Sequence, residues 1–161
     1  MSKNSLKIIR ETALKNIAFA VDDVAGFAYT NIAEQLAALE LPVCIFAFEH
    51  SPIKAPQLSI QQMKHAWGWS GTIFCFDLGI AHFLANCPHQ KKIYLFDDKL
   101  LWTQLKRYYY STVADVYLHN RINILTTPDK AQIIENVWKK PTVIENFTSE
   151  VICQICQIKK N

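Results

Sequence analysis

Acidic and hydroxylic residues recur in this chain directly behind short apolar runs. Asp22-Asp23 follows Ile17–Val21, Glu49-His50 follows Val43–Phe48, Asp77 follows Thr72–Phe76, and Asp97-Asp98 follows Ile93–Phe96. Thr126-Thr127 and Glu145-Asn146 close two further runs. Carboxylates and a histidine placed this way suit proton transfer, and His50, Asp22 and Asp77 are the candidate catalytic bases. Thr126 and Thr127 are the candidates for holding a phosphate, since a helix start follows them. Thr127 reads as an N-cap, Pro128 as the first helical residue and Asp129 as favourable to the helix dipole. Each residue also has a plain structural reading, as loop solvation or as a helix cap.

Three other constellations have chemical potential. Trp67-Gly68-Trp69 offers two indoles that could stack on a sugar or base, with a glycine between them to let both reach one ligand. Trp67 and Trp69 are therefore the candidate substrate-binding residues, and plugging the sheet edge is the equal alternative. Cys153-x-x-Cys156, with Cys87-Pro88-His89, could supply zinc ligands. The CxxC lies inside an apolar helical pattern, however, where a spacing of three points both thiols at a core. Asp22-Asp23 with Asp77 is reminiscent of a receiver's acidic phosphoacceptor pocket, but the end of the fifth predicted strand holds Thr126-Thr127 where a receiver needs lysine. No P-loop, GxGxxG or GxSxG occurs, which argues against the commonest nucleotide-binding and hydrolase sites. No metal site is expected.

The elements that must position these residues alternate strand and helix. Thr72–Phe76, a helical pattern over Leu78–Ala85, a Pro-containing break at Asn86–Gln90 and Ile93–Phe96 make a βαβ unit. Before it come a strand at Ile17–Val21, a helix over Val24–Leu39 and a strand at Val43–Phe48. After it come an aromatic-rich helix over Leu100–Val116, a strand at Ile122–Leu125, a helix ending near Trp138, a strand at Thr142–Ile144 and a helix over Ser149–Ile158. The expected fold is α/β, a three-layer α/β/α Rossmann-like domain with a mainly parallel sheet of about six strands. Residues 1–161 read as one such domain, with an irregular, mobile excursion at 51–70. In an open parallel sheet all the polar strand ends share one edge, where ligands bind.

Composition sets bounds. The 161 residues are 50% apolar and 12% aromatic, and the net charge is +3. A buried core follows, and disorder does not. The mild positive charge allows an anionic ligand and neither demands nor excludes nucleic acid. No apolar run is long enough to span a membrane, and the first residues lack the apolar core of a signal peptide. Five cysteines, with Cys44 and Cys75 inside apolar runs, read as reduced and buried. The expected compartment is the cytoplasm, or the host cytoplasm if the gene is viral.

Several stretches together resemble a known family. Gly71-Thr-Ile-Phe-Cys-Phe-Asp77, Lys92-Ile-Tyr-Leu-Phe-Asp-Asp98 with Trp102 behind it, Ile124-Leu-Thr-Thr127 with the helix through Trp138, and Pro141-Thr-Val-Ile-Glu-Asn-Phe147 look like the N-terminal Rossmann-like half of GT-B glycosyltransferases. Phage-encoded members are especially similar. The resemblance covers roughly Ile17 to Phe147 and rests on hydrophobic patterns with a few polar marks. It implies a glycosyltransferase-like domain that contributes an acceptor or nucleotide-sugar cleft, with a nucleotide-sugar as the co-substrate. In the family the C-terminal half holds most of the nucleotide-sugar, and that half is not in this chain. The resemblance therefore also implies a second Rossmann-like half, or a homodimer, as partner. A non-catalytic Rossmann-like binding or regulatory module is the alternative, and a receiver-like phosphoacceptor the third.

Overall fold

A strand buried on both faces belongs in the middle of a covered sheet, where it reads as a continuous apolar run. Ile17–Asp23 (β1) is such a strand, with Ile17–Val21 wholly buried. The computed structural model describes residues 16–49, 58–88, 91–96 and 109–158. Within them β1 is followed by a 3₁₀ turn at Val24–Gly26 and by helix Thr30–Ala38 (α1). Then come Val43–Glu49 (β2), Ser59–Gln62 (β3), a 3₁₀ segment at Met63–Gly68, Thr72–Cys75 (β4) and Leu78–Ala85 (α2). Lys91–Leu95 (β5), Tyr109–Tyr117 (α3), Ile122–Thr126 (β6), Pro128–Val137 (α4), Thr142–Val143 (β7) and Ser149–Ile155 (α5) complete the order.

The seven strands form one sheet, all parallel, in the order β3-β2-β1-β4-β5-β6-β7. This is the expected three-layer Rossmann-like architecture, with one strand more than the six read from sequence. Side chains alternate across the sheet. Ala18, Ala20, Cys44, Phe46, Ile73 and Cys75 pack against α2, α3 and the 3₁₀ segment. Ile17, Phe19, Val43, Ile45 and Phe74 face the opposite layer, built from α1 and α5.

The additional strand, β3, lies inside the stretch expected to be an irregular excursion. Ser59, Gln61 and Gln62 are exposed, so the segment carries almost no apolar signal. Pairing with β2 at Cys44 to Ala47 holds it as an edge strand. Met63 and Ala66, three apart, then turn inward and seat the 3₁₀ segment on the core. Residues 51–57 of that stretch lie outside the described residues. The helix expected over Val24–Leu39 is two elements, because Asp23 caps the 3₁₀ turn through the Ala25 amide and α1 starts only at Thr30.

All five cysteines are buried, and none forms a disulfide. Cys153 and Cys156 pack in the layer of α1 and α5, whereas Cys87 packs on the other side of the sheet. The three thiols cannot converge on one zinc ion. Among the described residues no group of three metal-binding side chains is assembled, and no helix is long and apolar enough to cross a membrane.

Candidate functional site at the carboxyl edge of β1 and β4

The chain lays β2 and β3 on one side of β1, then returns to place β4 on the other. Strand order thus reverses between β1 and β4, the position at which open parallel sheets bind ligands. A cavity of about 380 Å³ opens there. Asp22, Asp23, Gly26, Tyr29, Phe76 and Asp77 line it. Two of the candidate catalytic residues, Asp22 and Asp77, are therefore brought together from positions far apart in the chain.

Asp23 and Asp77 already have structural work. Asp77 is the N-cap of α2 and accepts from the amides of Gly79 at 2.7 Å and Ile80 at 3.1 Å. Gly79 permits this close approach, since a Cβ there would stand 3.0 Å from Asp77 Oδ1. Asp23 Oδ1 accepts from the Ala25 amide at 3.1 Å. Asp22 is exposed and caps neither element. The amides that would otherwise greet an anion at these helix starts are thus occupied by carboxylates.

An aromatic wall forms the other side. Tyr29 and Phe76 lie with ring centroids 5.0 Å apart, and Phe147 stands edge-on to Tyr29 at 5.0 Å and to Phe76 at 5.6 Å. Phe19 and Phe27 extend the stack beneath them. Neither Tyr29 nor Phe76 stood out in the sequence, although Phe76 adjoins Asp77 and Tyr29 immediately precedes α1. Among the described residues the lining contains no lysine or arginine. Three carboxylates and an aromatic wall make an acidic, partly apolar cleft suited to a neutral hydroxylated ligand more than to a phosphate.

The other candidates lie elsewhere. Thr126 ends β6, which β5 separates from β4. Its side chain is fully buried and its hydroxyl has no hydrogen-bond partner. Thr127 sits at the N-cap of α4, but its hydroxyl donates to the Asp129 carboxylate and makes no cap bond. Neither threonine lines the cavity. The two tryptophans part company. Trp69 is half-buried and packs edge-on to Phe46 at 5.5 Å, while Trp67 is 45% exposed. His50, Asp97, Asp98 and Trp102 lie outside the described residues.

No family model, no curated protein and no solved structure matches this chain significantly.

Proposed function

We propose that this domain binds a sugar or similar polyhydroxyl acceptor in the cleft between β1 and β4, and that it serves a glycosyltransferase-like transfer. The observation that carries this reading is the composition of the cleft: acidic and aromatic, with no lysine or arginine among its described lining residues, at the point where strand order reverses. Carboxylates accept hydrogen bonds from sugar hydroxyls, and ring faces of Tyr and Phe cover the apolar C–H face of a pyranose.

In an inverting transfer Asp22 takes the proton from the acceptor hydroxyl. The hydroxyl oxygen attacks the anomeric carbon of a nucleotide-sugar, and the bond from that carbon to the diphosphate breaks, the diphosphate leaving with the electron pair. An acidic cleft repels that diphosphate. On this reading the donor is presented by a partner, either a second Rossmann-like half or a second copy of this chain.

The test is transfer from a panel of labelled nucleotide-sugars to mono- and oligosaccharide acceptors, with the parent and Asp22→Asn. The expected loss on Asp22→Asn is roughly 10²- to 10⁴-fold in turnover with acceptor binding retained. Binding of saccharides with no transfer from any donor favours the second reading, a non-catalytic binding module. One observation favours that module: two of the three cleft carboxylates are spent on caps. A receiver-like phosphoacceptor has less support, because Asp77 is bonded to two amides and no lysine ends β6.

A further inference from the structure

An aromatic cluster lies next to the carboxylates of the cavity. In the β1–β2 register Val21 pairs with Ala47 and Asp23 with Glu49, which sets Asp22 beside Phe48. Ala20 and Phe46, two residues earlier on each strand, pack on the same side of the sheet, so Asp22 and Phe48 share that side. Phe48 is 50% exposed at the end of β2. Its ring meets Phe83 edge-on at 5.6 Å, and Phe83 meets exposed Trp67 edge-on at 6.2 Å. Phe83 stands three positions beyond the cavity residue Ile80 on α2, which places the two on one helix face. None of the trio lines the cavity itself, but two of its members neighbour lining residues, Phe48 beside Asp22 by strand register and Phe83 one helix turn beyond Ile80.

Two half-exposed large aromatics beside a carboxylate cleft are costly to leave in water. Each packs edge-to-face against Phe83 and stays about half exposed, so part of each ring is open to contact with a flat apolar C–H face. We infer that Phe48, Phe83 and Trp67 form a second sugar subsite continuous with the cleft, so that the ligand is an oligosaccharide of at least two rings. The inference rests on the acceptor reading given above and adds the ligand's length and the direction in which it runs, from Asp22 toward Trp67. It also gives Trp67 a partner set that does not include Trp69.

The experiment is a titration of the full chain with glucose-, N-acetylglucosamine- and xylose-based mono-, di- and trisaccharides, followed by indole ¹H–¹⁵N signals and by calorimetry. The expected result is an affinity gain of about ten-fold from mono- to disaccharide, with the Trp67 indole signal moving only for the longer ligands. In Trp67→Ala/Phe48→Ser the gain from length disappears, and circular dichroism checks that this surface variant is folded. Monosaccharide binding with no gain from length overturns the second subsite alone. Failure of every saccharide to bind overturns the acceptor reading as well. A single-stranded oligonucleotide that moves the Trp67 signal while the saccharides do not assigns the platform to bases and overturns the inference.

Discussion

Asp22 and Asp77 face one cavity but do different jobs, and substitution separates them. Asp77→Ala removes the acceptor for the Gly79 and Ile80 amides at the start of α2. Loss of an N-cap costs about 0.5–2 kcal/mol, and two bonds at 2.7 and 3.1 Å place this site in the upper half of that span. For a chain of this size each kcal/mol lowers Tm by roughly 2–4 °C, so a fall of about 2.5–8 °C is expected. Asp77→Ser keeps an acceptor and recovers most of the loss. Asp22→Ala, which removes no cap, stays within about 0.5 kcal/mol of the parent. Gly79→Ala adds a control. Better helix propensity alone predicts a gain near 1 kcal/mol, but the new Cβ meets the anchored Asp77 oxygen at 3.0 Å and cancels it. Thermal melts by circular dichroism and urea midpoints read all four variants. Equal stability of Asp77→Ala and the parent, or an equal loss in Asp22→Ala, would refute the assignment of roles.

Gly26→Ala should raise stability by about 0.4–1 kcal/mol while weakening saccharide binding. Gly26 has no positive φ, and a Cβ there meets no protein atom within 4 Å, although the residue lines the cavity; a loss of stability in urea unfolding would contradict this. Stability should decline as pH falls below the ordinary histidine value of 6.5, because burial and then Lys92, Lys139 and Arg121 hold the folded His119 pKa below it. The unfolded chain then takes the proton first. His119 Nδ1 also accepts from the Arg121 amide at 3.2 Å, a bond that protonation breaks, and His119→Asn should flatten this part of the urea-midpoint profile between pH 5 and 7. At the alkaline end burial raises the thiols of Cys44, Cys75, Cys87 and Cys156 above 9.0. Their contribution is fully present below pH 9 and is lost as pH rises beyond it. Because all five cysteines are buried, a thiol reagent at neutral pH should label none of them until denaturant is added.

The strand runs of the sheet's interior were legible because residues covered on both faces must be apolar without interruption. Ile73–Cys75 and Ile17–Val21 are examples, and the acids behind them marked the ends. The edge strand Ser59–Gln62 was not legible, since Ile60 alone carries an apolar signal and pairing with β2 supplies what periodicity does not. The site was half legible. Residue type pointed to Asp22 and Asp77, but their meeting depends on β1 and β4 being neighbours, a fact of topology. The same fact leaves Thr126 and Thr127 two strands away. Thr126 is drawn inward by burial, and Thr127 turns to Asp129. Tyr29 and Phe76 passed unnoticed because an aromatic beside a strand end reads equally as core.

Among the described strands β1 comes earliest in the chain, yet it lies inside the sheet, between β2 and β4. Ile17 pairs with Val43 on one side and with Thr72 on the other, so β1 keeps a bare edge until translation has passed β4. A nascent or truncated product that stops before Thr72 displays the segment Ile-Ala-Phe-Ala-Val with one side unsealed, ready to recruit a foreign strand. Fragments ending there should precipitate, whereas chains extended through β4 should not.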